Sequence, residues 1–428
     1  MNLEPSAALN RRRFLIRTGS WTVLLAGWRG ACFAGEEFSV AEAFDREVES
    51  FMGERKVPGG ALAVVRKGKL VYARGYGWAD RERKEPVTSQ ALFRIASISK
   101  PFTSAAIFNL VEAGRLELGA RVFELLQLDP LVAKGAQPDP RLRTVTVRQC
   151  LQHTGGWDRG ASGDPMFQSG KIAKALGVAS PARQAGIIRY VFGRPLDFDP
   201  GTRYAYSNFG YCVLGRVIEK VSGVAYEEYV RRELLEPMGI RAMRVGASLE
   251  DQRAPGEVKY YTARDRKGRS VFADSPGRVP VPYGTFCLEA MDSHGGWLAS
   301  AIDLARFAAA MDAPAGKGLR AETRQALYAP PPPPVSRAKD GSLAAHYYGC
   351  GWGVRPVGRE GKANYWHAGS LPGTYSLLVR RSDGLSWAVL FNQRSEDSRK
   401  PDAAIDAGLH RAADVVTEWP DQDLFPGR

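Results

Sequence analysis

The sequence predicts an α+β fold: one antiparallel sheet formed by both chain ends, flanked by N- and C-terminal helices, with a mostly helical domain inserted. Three observations predict it. Strand-like stretches gather at 60–77 and again at 348–392, whereas helical spacing dominates from 97 to about 244. The turns between strands are short, as antiparallel neighbours require, with Lys67-Gly68-Lys69 and Ser382-Asp383-Gly384 the clearest. Helical patterns also stand just outside the strands on both sides, at 40–55 and 403–416. The division that follows is a discontinuous sheet domain, 41–96 with 290–418, and a helical domain, 97–289.

Taken in order, Ala41, Phe44, Val48 and Phe51 share one face of the first helix. Residues 60–66 are a continuous apolar run and 70–77 alternate, which together predict a hairpin. After Ser97, the apolar residues Phe102, Ala105, Ala106, Leu110 and Val111 recur at helical steps until Gly114, with Pro101 in the first turn, where a missing N–H costs nothing. Residues 127–143 and 158–180 read as long loops. Residues 257–263 and 269–272 read as a hairpin around Arg266-Lys267-Gly268. A helix is expected directly after His294-Gly295-Gly296, with Leu298, Ile302, Leu304 and Phe307 as its apolar face. Strands return at 348–354, 363–367, 374–381 and 386–392.

Composition narrows the function. The 428 residues are 44% apolar and 25% charged, ordinary for a soluble globular protein. Residues 1–34 read as a twin-arginine export signal: Arg11-Arg12-Arg13-Phe14-Leu15, a moderately apolar run over 21–28, then the small-residue segment Ala31-Cys32-Phe33-Ala34. A membrane anchor needs ~20 apolar residues. Arg17 and Arg29 bound this run and keep it well short of that length, so no stable membrane span is expected after signal removal, and a periplasmic or secreted location is. The signal holds five arginines and one glutamate, so its loss lowers the net charge from +13 to +9. No lysine/arginine block is interleaved with aromatics, which argues against nucleic acid. Cys150, Cys212, Cys287 and Cys350 lack CxxC spacing, so no metal site is expected, and no cofactor is expected. Buried free thiols are the expectation, two disulfides the alternative that an oxidising compartment permits.

The chemistry centres on Ser97. Lys100, one turn on, shares its helical face and can reach the Ser97 hydroxyl. To act as a base the amine must be neutral, so a pKa of about 10.4 must fall by roughly 3 units, about 4 kcal/mol. A helix N-terminus supplies only about 0.3–1 kcal/mol of that. Burial must do the rest. The pair alone is weak evidence, because Ser336 and Lys339 repeat the spacing in a loop after five prolines. Tyr206-Ser207-Asn208 adds a phenol that can relay a proton and an amide that can hold Lys100; of 16 tyrosines only Tyr206 has asparagine two residues on. Of three His-x-Gly triplets, at His153, His294 and His367, only His367-Ala368-Gly369 ends an expected strand.

In this order the motifs Ser97-x-x-Lys100, Tyr206-x-Asn208 and His367-Ala368-Gly369 resemble those of the serine β-lactamase and penicillin-recognising superfamily. Supporting stretches run from Thr146 to Gly156, Gly295 to Ser300 and Tyr348 to Gly353, and the likeness covers about 41–415. The tyrosine motif is more similar to class C β-lactamases and D,D-peptidases than to class A. The resemblance implies a β-lactamase/transpeptidase-like fold, Ser97 as acylated nucleophile, Lys100 and Tyr206 as the proton-transfer pair, and Asn208 as an orienting group. It further implies that His367, Ala368, Gly369 and Ser370 form a substrate-binding strand, with backbone N–H groups of Ser97 and Ser370 as the oxyanion hole. His367 is a departure. β-Lactamases carry lysine there, and histidine is more like D,D-peptidases, D-amino-acid amidases and family VIII esterases. The expected function is an exported serine hydrolase working through an acyl-enzyme on an ester or a D-amino-acid peptide or amide. Its expected partner is a small-molecule ester or peptide, a peptidoglycan stem peptide among the candidates. The alternatives are a non-catalytic or weakly acylating cell-wall-peptide or penicillin-binding protein, and a true β-lactamase.

Overall fold

The computed structural model describes residues 38–312, 319–358 and 361–425. The export signal expected at 1–34 lies outside them. The first helix, α1 (Val40–Arg55), starts where Ser39 and Glu42 cap each other's backbone reciprocally and stops at Lys56, which takes a left-handed conformation. Strands β1 (Gly59–Arg66) and β2 (Lys69–Asp80) form the expected hairpin, followed by the short β3 (Glu85–Pro86) and β4 (Phe93–Arg94). A 3₁₀ turn over Ala96–Ile98 leads into α2 (Ser99–Glu112). Then come the helices α3 (Val122–Leu126), α4 (Val147–Leu151), α5 (Ser169–Leu176), α6 (Gln184–Phe192), α7 (Asn208–Ser222) and α8 (Tyr226–Val230). The stretch expected as a loop at 158–180 therefore holds α5, whose Ile172 and Ala173 are buried in the main core.

Chain reversal follows through β5 (Arg244–Val245), β6 (Lys267–Arg269), β7 (Arg278–Pro280) and β8 (Trp297–Ala299), and then helices α9 (Ala301–Asp312) and α10 (Ala321–Tyr328). The sheet resumes with β9 (Tyr347–Tyr348), β10 (Gly353–Val357), β11 (Lys362–Leu371), β12 (Thr374–Arg380) and β13 (Leu385–Phe391), and α11 (Ala404–Val415) follows. Eight of the described strands form one antiparallel sheet in the order β3-β2-β1-β13-β12-β11-β10-β9. The strands from before and after the helical region meet at β1 and β13, where Leu62 lies opposite Val389. Alternation sends Leu62, Val64, Leu377, Val389 and Phe391 to one face, where α1 and α11 cover them. Ala61, Ala63, Val65, Leu378 and Leu390 point the other way, into a core shared with α2, α7 and α9. This is why β1 reads as an unbroken apolar run: both faces are covered.

Several expectations give way to tertiary contacts. Residues 257–263 form no hairpin with 269–272; β6 pairs with β7 instead. Lone backbone bonds capture the earlier segment, from Val258 N–H to Leu92 O (3.0 Å), Lys259 N–H to Ala79 O (2.8 Å) and Tyr261 N–H to Asn392 O (2.9 Å). Leu298 is not on a helix face. It lies in β8 between Arg94 of β4 and Arg244 of β5, and α9 begins only after Ser300, whose hydroxyl accepts from Asp303 N–H. The strand expected at 348–354 is broken between β9 and β10 by Gly349–Trp352 contacts to α2 and α10, with Cys350 O accepting from Ser104 Oγ (2.7 Å). His367-Ala368-Gly369 does not end a strand, because β11 continues to Leu371 in register with β12. The four cysteines of the described residues are buried and free. No helix among the described residues is long and apolar enough to cross a membrane.

Candidate active site

The site forms where the turn after β4 meets β11 and the helical region. Ala96, immediately before Ser97, has φ +47°, a left-handed conformation that costs a non-glycine residue of order 1–3 kcal/mol. Neighbours hold it there. Thr374 and Ser376 of β12 donate to Arg94 O (2.9 Å) and Ile95 O (2.8 Å), and Ser99 Oγ donates to Ala96 O (2.7 Å). Behind the turn, the fully buried Arg94 donates to Pro282 O (2.5 Å) and Ala247 O (2.8 Å) and faces Glu257 at 3.6 Å. Gly369 is required on the other side, since a Cβ there would overlap Ile95 O and Ser376 Oγ. The strand can thus lie directly against the backbone that presents Ser97.

Lys100 is fully buried on α2, with Nζ 3.0 Å from Ser97 Oγ, 2.8 Å from Asn208 Oδ1 and 2.9 Å from His294 O. Burial holds its pKa well below the usual lysine value; Asp164 opposes this and Arg159 adds to it. A neutral amine has two N–H donors and one lone pair. Asn208 and His294 can accept the two donors, which leaves the lone pair for the Ser97 hydroxyl proton. The His294 carbonyl is fixed because Thr103 Oγ1 donates to Ser293 O (2.6 Å) and Arg216 pairs with Asp292 (2.6 Å). Asn208 opens α7, and its Nδ2 donates to Asp164 Oδ2 (2.6 Å), which orients its amide oxygen towards Lys100.

Tyr206 lies beside the pair, with its ring centroid 4.8 Å from Lys100 Nζ. Burial raises its pKa, hydrogen bonding with Ser97 works against that, and the phenol stays protonated at neutral pH. His153 packs at 4.3 Å from the Tyr206 ring and 4.5 Å from Tyr348, and its Nδ1 accepts from Ser207 N–H (3.2 Å). His367 is buried, and its pKa is held down to about 3 by burial and then by Lys100. Its Nδ1–H donates to Ala368 O (2.7 Å), so Nε2 accepts from Tyr348 OH (2.9 Å). The imidazole therefore enters the site neutral with both nitrogens occupied.

The structure brings together Ser97, Lys100, Tyr206 and Asn208, and Ser97, Tyr206, His367, Ala368, Gly369 and Ser370 line one cavity of about 470 Å³. Arg159, Tyr204, Pro331, Val335, His346, Tyr347, Tyr348, Gly353 and Trp366 complete its wall. All three His-x-Gly triplets abut this region: His153 backs Tyr206, His294 supplies a carbonyl, and His367 lines the cavity. Ser336 and Lys339 form no comparable pair, as Ser336 is buried and Lys339 exposed. Sequence reasoning missed Asp164, Arg159 and the His294 carbonyl. Asp164-Pro165 is legible as a 3₁₀ start, but its aim at Asn208 depends on the path of 158–168.

Fold and site together define a serine hydrolase built on a serine–lysine pair beside a buried tyrosine. The β-lactamase family model matches residues 44–411, and the chain belongs to that family. Among similar proteins, Esterase EstB of Burkholderia gladioli is 28% identical over 396 residues, covering 86% of this chain and 94% of that protein. Penicillin-binding protein 4* of Bacillus subtilis (strain 168) is 24% identical over 363 residues, covering 84% of this chain and 73% of that protein. The D-amino acid amidase of Ochrobactrum anthropi SV3, solved with L-phenylalanine amide, superposes with a TM-score of 0.65 at 21% identity. That match covers 88% of this chain and 98% of the amidase, and shows the shared fold.

Proposed function

We propose that the protein is an exported hydrolase that cleaves an ester or a D-amino-acid amide or peptide through an acyl-enzyme on Ser97. The observation that carries this reading is the buried Lys100 amine, with two acceptors for its N–H groups and its lone pair left for Ser97 Oγ. Lys100 takes the Ser97 proton as Oγ bonds to the substrate carbonyl carbon. Backbone N–H groups of Ser97 and Ser370 receive the charge that develops on the carbonyl oxygen. Tyr206 then gives its phenolic proton to the leaving oxygen or nitrogen as that bond breaks, and recovers a proton from Lys100. In the second half water replaces the leaving group. One water proton passes to Lys100, the water oxygen bonds to the acyl carbon, and Ser97 leaves with its proton restored.

Esterase and amidase relatives support small-molecule substrates, and the neutral His367 supports esters and amides over β-lactams. A lysine there would offer a β-lactam carboxylate a charge-assisted bond, worth roughly 1.5–3 kcal/mol against about 1 for a neutral one. The test is kcat/KM for p-nitrophenyl butyrate, D-phenylalanine p-nitroanilide and nitrocefin with the wild type and Ser97→Ala. Turnover of the ester or the anilide well ahead of nitrocefin, lost in Ser97→Ala, is expected. Nitrocefin turned over fastest would make the protein a β-lactamase, and covalent labelling without turnover would make it a binding protein.

A further inference from the structure

The cavity wall carries one charged side chain that the mechanism does not use. Arg159 stands at the tip of a turn fastened from both sides. Ala161 and Ser162 N–H groups donate to Asp158 O (3.1 and 3.0 Å), Gly160 N–H donates to Asp158 Oδ1 (2.8 Å), and Asp158 N–H donates to Asp197 Oδ2 (2.7 Å). The guanidinium lies over the Tyr206 ring, 4.6 Å from its centroid. The nearby carboxylates are engaged elsewhere: Asp158 with Arg203 (2.9 Å), Asp164 with Asn208 and Met166 N–H, and Asp197 with Ser162 and the Asp158 backbone. No carboxylate pairs with Arg159 among the described residues, and its side chain is exposed.

A cation fixed on an aromatic face, with its N–H donors unspent and a largely aromatic cavity beneath, is a site for an anion. The opposite wall cannot play that part, because His367 is neutral and both its nitrogens are bonded. A second guanidinium, Arg394, reaches Ser370 Oγ (3.3 Å), but Asp402 and Glu396 offset its charge. Resting on the hydrolase reading above, we propose that Arg159 is the specificity-determining residue of this site and that the preferred substrate carries a carboxylate close to the scissile bond, bound by the Arg159 guanidinium against Tyr206. The carboxylate could belong to the acyl chain or to the leaving group. Both present the same chemistry to Arg159.

The experiment compares kcat/KM for 4-nitrophenyl butyrate, mono-4-nitrophenyl glutarate and 3-carboxyphenyl butyrate, which are neutral, anionic in the acyl chain and anionic in the leaving group. Ratios of anionic to neutral ester cancel any general effect of a substitution on the nucleophile. In Arg159→Gln one of the two ratios is expected to fall about tenfold, and in Arg159→Glu further; which ratio moves says where the carboxylate lies. In the wild type the same ratio should fall as salt rises to about 1 M, where screening reaches within about 3 Å. This arm needs no variant to fold. Ratios that stay within about twofold in both variants and across salt, or that move in Arg394→Gln instead, overturn the assignment to Arg159. A wild type that turns over none of the three esters overturns the hydrolase reading and this inference with it.

Discussion

Asp164 couples charge to geometry at the scale of single residues. Its carboxylate holds Asn208 Nδ2 at 2.6 Å and, by its charge, raises the Lys100 pKa that burial has lowered. Replacing it with asparagine removes the charge, so the Lys100 pKa falls further and the neutral amine persists to lower pH. The acid limb of kcat/KM in Asp164→Asn is therefore expected to move to lower pH, with kcat down about tenfold from a less well fixed Asn208, the equivalent of ~1.4 kcal/mol. A limb that stays in place or moves up would show that Asp164 does not act on Lys100. Asp164 is a positioning residue. A merely structural role would leave the limb where it is.

Elements meet closely where β11 passes the turn that carries Ser97. Gly369→Ala would force a Cβ onto Ile95 O, so the strand or the turn must shift. Overpacking of this kind costs about 1–3 kcal/mol. Urea unfolding should report that loss, with ester turnover falling about a hundredfold or more because the turn carries the proposed nucleophile. Gly53, inside α1 with nothing within 4 Å of an added Cβ, is the contrast: Gly53→Ala should stabilise by about 0.5–1 kcal/mol and leave turnover unchanged. Equal effects at the two glycines would remove the argument for close approach. The same elements show what sequence can and cannot reveal. The β1–β2 hairpin, α1 and α11 were legible because period and turn chemistry are local, whereas the Ser97, Tyr206 and His367 motifs stood out through their order and their resemblance to a known family. The β8 strand inside an apparent helix and the aim of Asp164 were not, because their partners lie 44 to 204 residues away, as Asn208 does from Asp164 and Arg94 from Leu298; the β6–β7 pairing was not, because distant backbone groups at Leu92, Ala79 and Asn392 capture residues 258–261 and leave 267–269 to pair with 278–280.

Across the described residues, strands from before and after the helical region share one sheet, with helices on each face and the site where β11 meets the helical region. The proposed export by the twin-arginine route would carry the protein across folded. Replacing Arg11 and Arg12 with lysine should leave precursor in the cytoplasm, read by fractionation and immunoblot, whereas unchanged periplasmic yield would mean another route. The central claim is narrower: one buried amine activates one serine in this fold. It is tested most directly by treating the intact protein with a fluorophosphonate and mapping the adduct by peptide mass. A single adduct on Ser97 is expected, lost in Ser97→Ala and slowed about a hundredfold or more in Lys100→Ala, while Ser336→Ala labels normally. An adduct on any other residue, or labelling of Ser97 that is indifferent to Lys100, would contradict it.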